Sequence, residues 1–407
     1  MRKTLLFLLF LAFSSKLLSQ NDTLRFMENQ NPFWDEIKKS SEEFIKNQSP
    51  DKPEKKALKM DFESIQLPKS TDEFTRIWHN DPVPQAWTNI CWDFCATSLF
   101  ESEIFRIHNK KIKLSEPWVA YWEFVEKAKY FVQKRGKSLF AEGSQANAVK
   151  RIWKKYGVVP ATAYTGLLPG QKFLNHHIMF QEMSDFLKGI KEKNMWNEEF
   201  VVETIKSIMN KYMMEPPKKF TFEGKEYTPE GFLKDVVKLN LDDYVDIISI
   251  LEPGYYKQIA YDVPDNWWND QSYYNLPLNE FMDALKSSIK SGFSLALGGD
   301  VSEPGYYSLL DVAMIPSWDI PSKFIDDKAR QFRFSNGTTS DDHGIHLVGY
   351  TQKDNGMWFL IKDSGSGSRN GNAKGYYFYH EDYIKLKMMV FMVHRSAVEK
   401  FLTKFKQ

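Results

Sequence analysis

The chain has 407 residues, 42% of them hydrophobic and 15% aromatic, enough for a large core in one big domain or two lobes and unlike a disordered composition. A formal net charge of +1 points to neither nucleic acid nor an anionic surface as partner. The two cysteines, Cys91 and Cys95, argue against a disulfide framework, because on one helix they would occupy successive turns of a face, where a disulfide is geometrically poor.

Residues 1–19 carry the pattern of a secretory signal: Arg2 and Lys3, an apolar run from Leu5 to Phe13, then Ser and Lys with a small residue at Ser19. The run is too short for a membrane span. The protein is therefore expected to be exported, periplasmic or secreted, and off the membrane once the signal is removed; a retained hydrophobic N-terminus or uncleaved anchor is the alternative. Residues 20–73 are polar and Lys-rich, with Ser49-Pro50-Asp51-Lys52-Pro53 among them, and read as an extension and linker with no core element.

Order is expected from Phe74. Gln85 opens a polar loop that runs into an amphipathic segment, with Phe94, Cys95, Leu99 and Ile104 roughly on one face at helical spacing below Cys91. A helix over Cys91–His108 would aim unpaired backbone N–H groups at the Cys91 sulfur and favour its thiolate. Ser115 followed by Pro117 predicts the cap of a second helix ending near Gly136. A third helix is expected over Ala146–Tyr156, closed by Gly157. Residues 170–250 read as charged and helical, clearest over Asp185–Trp196 and Glu198–Met213, with a small hairpin at Phe220–Tyr227. His176-His177 reads as surface, and Trp267-Trp268 as lobe packing. Leu278, Phe281, Met282, Leu285 and Ile289 form a further helical stripe. Strands follow at Ser294–Leu297, His343–Tyr350, Met357–Lys362, Gly375–Tyr379 and Lys387–Val393. Helices first and strands later predict an α+β fold of two lobes meeting at a cleft: a helical lobe over about 74–170, a helical insertion over about 170–260, a β-rich lobe over about 275–395 and a tail at 396–407.

Cys91 alone would more often be a buried structural thiol than a nucleophile. Its neighbours change that. Gln85 lies six residues before Cys91 and Trp92 directly after it, which resembles the Gln…Cys-Trp loop of papain-like cysteine peptidases. His343, followed six residues later by Gly349-Tyr350, resembles that family's catalytic-His segment. Ile361-Lys362-Asp363-Ser364-Gly365 stands where the family has Ile-Lys-Asn-Ser-Trp, so Asp363 replaces the Asn that orients the His and Gly365 replaces the Trp that shields it. Gly375-Tyr376 matches the family's last strand. Asp341-Asp342, Phe140-Ala141-Glu142-Gly143 and Gly298-Gly299-Asp300 resemble landmarks of the bleomycin hydrolase (aminopeptidase C) branch, in the same order.

The resemblance covers about residues 74–395 and implies a cysteine peptidase of the papain-like two-lobe fold. Cys91 would be the nucleophile, His343 the base, Asp363 its orienter, and Gln85 with the Cys91 N–H the oxyanion hole. Gly143 and Ser144 would stand at the family's substrate-binding Gly pair, beside Trp92 and Asp342 as further substrate contacts. No metal or organic cofactor is implied. His343 and His346 fall on opposite strand faces, and no further ligand completes a metal set. The partners are peptide substrates. The branch is typically a hexameric aminopeptidase whose C-terminal arm occupies the cleft, so a homo-hexamer is the implied assembly. His394–Gln407 reads either as such an arm or as a plain terminal helix. An endopeptidase with an open cleft, and a degenerate fold that binds peptides without cleaving them, stay open beside the aminopeptidase reading.

Overall fold

The helix Cys91–His108 lies between a helical lobe and a large sheet, and its surroundings decide its chemistry. Every side chain from Trp92 to Ile104 is buried. The expected one-sided stripe is therefore a correction: Phe94, Cys95, Leu99 and Ile104 are buried, but so is the opposite face, because protein covers both sides. Polar groups on that second face have partners. Thr97 Oγ1 donates to Asp93 at 2.7 Å. Glu101 accepts from Asn80 and Lys113 at 2.9 Å and from the Leu114 N–H at 2.8 Å. Glu103 takes a two-pronged contact from Arg106 at 2.8 and 2.7 Å. Asn109, in left-handed backbone at φ 51°, ends the helix by returning its N–H to the Phe105 carbonyl.

The structure, a computed structural model, describes residues 24–42 and 56–405. The expected export signal at 1–19 and the Ser49–Lys55 part of the expected linker lie outside them. The helical lobe contains the helices Glu116–Gln133, Asn147–Tyr156, His177–Glu192 and Glu198–Met213. Ser115 caps the first of these by accepting from the Trp118 N–H at 3.2 Å. Gly157, at φ 67°, closes the Asn147–Tyr156 helix. The hairpin Phe220–Phe222/Lys225–Tyr227 forms as expected.

The other lobe is built on an eleven-stranded sheet among the described residues. Its centre runs Tyr376–His380, Gly356–Lys362, His343–Lys353, Leu295–Gly299, Met388–His394 and Tyr244–Ile248, each antiparallel to the next. Tyr244–Ile248 corrects the helical reading of residues 170–250. This short run, Tyr-Val-Asp-Ile-Ile, is buried throughout and pairs with Met388–His394. A short apolar run cannot be told from a buried helix by periodicity alone. Strand alternation splits the sheet's two faces. Tyr244, Ala296 and Met392 pack toward the helical lobe, while Val245, Ile247, Leu297 and Phe391 pack on the helix Leu278–Lys290 on the far side.

One chain end corrects an expectation and the other decides between two readings. The N-terminal stretch contributes to the core: Leu24–Glu28 pairs antiparallel with Lys56–Met60, and Met60 and Phe62 join Phe74, Val348, Trp358 and Phe378 in one apolar cluster. Helix Pro32–Glu42 docks on the loop after Asp363, with the Phe33 N–H on Asn370 Oδ1 at 2.8 Å and Asn31 Nδ2 on Ser366 Oγ at 3.1 Å. At the other end, Phe401 and Leu402 are buried on the far face of the sheet, and Phe405 packs edge-on to Tyr274 at 4.9 Å. Through Phe405 the tail is thus a docked terminal helix turned away from the helical lobe, not an arm in the cleft.

Candidate active site

Cys91 is the first residue of its helix, so its N–H has no intrahelical acceptor. The loop that delivers it is held by bonds within itself and to a distant segment. Gln85 and Ser364 are tied twice: the Gln85 N–H donates to the Ser364 carbonyl at 2.9 Å, and Ser364 Oγ donates to Gln85 Oε1 at 2.8 Å. The Gln85 amide also donates to the Thr88 carbonyl at 2.8 Å, and Thr88 Oγ1 returns a bond to the Gln85 carbonyl at 2.8 Å. With Oε1 occupied and one N–H on Thr88, the second amide N–H remains for a group in the cleft that Gln85 lines. Ala86, between them, sits in left-handed backbone at φ 56°. This costs a non-glycine residue about 1 kcal/mol or more, so the turn that aims Gln85 is strained.

His343 opens its strand opposite Gly299. Its Nε2 lies 3.1 Å from both carboxylate oxygens of Asp363, and the Cys91 sulfur faces the same imidazole. Burial alone would push His343 down; the negative charges of Asp363 and Cys91 and their hydrogen bonds outweigh it and hold the imidazole well above its ordinary range. Burial would likewise raise Asp363, but the His343 charge, their hydrogen bond and the Gly365 N–H at 2.5 Å hold it below the usual carboxylate range. Gly365 is close against this pair: a Cβ there would lie 2.9 Å from Asp363 Oδ1 and 3.5 Å from His343 Nε2. Any other residue at 365 would force the Asp363 carboxylate or the backbone to shift.

Cys95 and His346 are elsewhere. Both cysteines are free. Cys95 is buried, donates to the Trp92 carbonyl at 3.2 Å, and is pushed well up by burial and by the neighbouring Cys91 and Asp93. His346 faces away from His343, with Nδ1 2.8 Å from Ser98 Oγ, and burial and the nearby Lys362 push it down. A strand face thus separates the two imidazoles.

The cleft between the lobes encloses about 430 Å³. All eight expected site residues except Asp363 line it, and Asp363 reaches it through His343. Trp92 is buried and donates its indole N–H to the Glu142 carbonyl at 3.2 Å, which fixes the turn Ala141–Gln145 beside Cys91. Ser144 turns its hydroxyl away from the cleft, donating to Glu123 at 2.7 Å, so Gly143 and Ser144 offer the cleft mainly backbone. Asp342 accepts from the Val301 N–H at 3.0 Å. Three features escaped the sequence reading. Asp246 and Asp265 also line the cleft, each more than 150 residues from Cys91 in sequence. His176, expected at the surface, is 1% exposed and packs its ring edge-on to Phe124; His177 is the exposed one and stacks on Trp87. No local signal separates two adjacent histidines at the start of a helix.

Residues 27–407 match the Peptidase C1-like family. Aminopeptidase C of Streptococcus thermophilus is 24% identical over 336 residues, covering 70% of this chain and 74% of that protein. Aminopeptidase C of Lactococcus lactis subsp. cremoris is 22% identical over 352 residues, covering 77% and 80%. The crystal structure of PepW from Lactobacillus rhamnosis superposes with a TM-score of 0.65 at 18% identity, over 82% of this chain and 84% of that one, which is a likeness of fold. A match over nearly the whole chain and a shared two-lobed architecture place it: the chain belongs to the Peptidase C1-like family and is a papain-like cysteine peptidase.

Proposed function

We propose that the chain is a thiol aminopeptidase that works through Cys91, His343 and Asp363. The observation that carries the reading is His343, held between the Cys91 sulfur and the Asp363 carboxylate with its imidazole kept protonated by both. The Cys91 thiolate attacks the carbonyl carbon of the substrate's N-terminal residue. The oxyanion that forms receives the Cys91 N–H and the spare Gln85 amide N–H. His343 then gives its proton to the leaving amine, and the acyl group stays on sulfur. Water, deprotonated by His343, releases it and restores the thiolate. Asp363 keeps the ring oriented and its positive charge balanced. The name Aminopeptidase C, carried by relatives that match most of the chain, supports exopeptidase action. The Arg2–Ser19 pattern supports export, and the branch resemblance supports a hexamer, which a native mass measurement tests.

The central test is active-site labelling combined with turnover. Wild type should react at Cys91 with a peptidyl electrophile and hydrolyse aminoacyl substrates with a free N-terminus. Cys91→Ala should lose turnover by on the order of 10³-fold or more while keeping its fold. An unlabelled Cys91 together with no turnover of free or blocked substrates sinks the catalytic reading; efficient cleavage of blocked substrates replaces it with an endopeptidase.

A further inference from the structure

The C-terminal helix is docked on the far face of the sheet through Phe405, so the cleft's own walls are where selection of a free N-terminus is sought. One segment is built for it. Ile259 and Tyr273 pair with each other at the sheet's end, and the chain between them leaves the sheet and docks on the helical lobe. Trp267 donates its indole N–H to Glu123 at 2.7 Å and packs edge-on to Tyr130 at 5.1 Å. The Arg151 guanidinium lies over Trp267 and Trp268, 5.0 and 4.6 Å from their centroids. Asn266 holds the loop in shape, donating to the Tyr261 and Asp270 carbonyls at 3.0 Å and accepting from the Asp270 N–H at 2.8 Å. Glu123 also receives Ser144, so the loop and the Gly143–Ser144 turn share one anchor. The loop is thereby a bridge between the lobes at that turn.

The bridge brings Asp265 down on Gly143. A Cβ at 143 would meet the Asp265 carboxylate oxygens closer than any side chain allows, so the absence of a side chain is what lets the carboxylate in. Five acidic residues line the cleft, Glu142, Asp246, Asp265, Asp341 and Asp342, and no lysine or arginine among the described residues does. Three of the five are engaged: Asp246 with Lys150 at 3.0 Å, Glu142 with the Asn89 N–H at 2.8 Å, and Asp342 with the Val301 N–H. Asp341 receives Gln145 on Oδ2 and has the Tyr261 hydroxyl beside it. Asp265 accepts no hydrogen bond; Lys127, the cation it faces, donates to the Ala141 and Gly143 carbonyls instead. Tyr261, 1% exposed at the foot of the bridge, turns its hydroxyl toward Asp341, with Asp265 also nearby. Burial, and then the charges of Asp265 and Asp342, push Asp341 up to about 7 despite Gln145 and Tyr261; Asp265 is raised by burial and Glu123 against the pull of Lys127. The pair is short of positive charge.

We propose that the bridge Ala260–Ser272 walls off the acyl-side end of the cleft, and that Asp265 and Asp341 bind the free ammonium group of a peptide substrate there. This rests on the aminopeptidase reading and names its specificity residues. The preferred substrates are peptides whose N-terminal ammonium lies within a residue or two of the bond cut; an acetylated N-terminus meets two carboxylates and a wall.

The test uses the full chain with one aminoacyl amide substrate, free and N-acetylated. Asp265→Asn and Asp341→Asn should each lower kcat/KM for the free substrate at least tenfold, mainly through KM, and narrow the free-to-acetylated ratio by a similar factor. Iodoacetamide labelling of Cys91 in each variant reports that the fold and the Cys91–His343 pair survive. Wild type alone supplies a second readout: leucinamide should protect Cys91 from iodoacetamide and N-acetyl-leucinamide should not. Equal protection by the two, or wild-type selectivity in both folded variants, overturns the proposal while leaving peptidase action standing. Absence of wild-type turnover would overturn the underlying reading instead.

Discussion

His343 carries its charge because two anionic neighbours outweigh the cost of burying it, and Asp363 is the neighbour that distinguishes this chain from the family's Asn pattern. An Asn at 363 could still accept from the imidazole N–H, but it would remove the full negative charge that holds the ring protonated. Asp363→Asn is therefore expected to shift the alkaline limb of the kcat/KM profile to lower pH, since His343 would lose its proton sooner, while retaining measurable turnover. The sign follows from a raised imidazole: its protonated form persists to higher pH in wild type than in the variant. An unchanged alkaline limb would show that Asp363 only positions the ring. Gly365 leaves this contact without a covering side chain, and part of the shielding comes from the adjacent loop, whose Ser368 Oγ donates to the Gly365 carbonyl at 2.7 Å.

Among the elements, the helix Glu116–Gln133 does double duty. It carries Glu123 and Lys127, which hold the turn beside Cys91, and it starts at Ser115, which is wholly buried. Ser115 Oγ accepts from the Trp118 N–H and donates to the Tyr164 carbonyl at 2.6 Å. Ser115→Ala would leave both backbone groups unpaired in the interior and should cost about 1–2 kcal/mol, read as a lower urea midpoint at unchanged slope. Because the cap lies at the far end of the helix from Lys127, iodoacetamide should still label Cys91 at close to the wild-type rate. This cap was legible in the sequence from Ser115 and Pro117, since capping is a local affair of a few residues. The strand Tyr244–Ile248 was not, because its partner, Met388–His394, lies more than 140 residues away, and the pairing decides what the apolar run becomes.

At the scale of the whole molecule, the two lobes are joined by more than the cleft. The central helix is buried between them, the 260–272 bridge spans the cleft's end, and the C-terminal helix seals the outer face of the sheet. Phe401 and Leu402 are buried there, and burying each side chain is worth roughly 1.5–3 kcal/mol. Deleting Glu399–Gln407 is thus expected to lower stability by on the order of 3–5 kcal/mol and to depress Tm measurably. The preference for free over acetylated substrates should survive, because the tail through Phe405 is docked away from the cleft. Conversion to an endopeptidase on that deletion would mean that the last residues reach the cleft after all.

What the sequence determined by itself is local and ordered along the chain. Gln85, Cys91 and Trp92 announce a nucleophile on a helix start, Ser115 a cap, Leu278–Ile289 a helix face, and His343-x-x-His346 a strand that sends its two imidazoles to opposite sides. These depend on a period of 3.6 or 2 residues and on neighbours a few positions away. The Gln85–Ser364 bonds, the strained Ala86, the all-round burial of the Cys91 helix and the placement of Asp246, Asp265 and Asp341 around one cleft were decided only by tertiary structure. Their partners are 50 to 280 residues apart by order of magnitude, and burial, not spacing, sets their charge and their hydrogen bonds. The thiol's setting was readable because a helix start is a local frame; the walls and charges around the cleft were not, because they belong to lobes that meet only when the chain is folded.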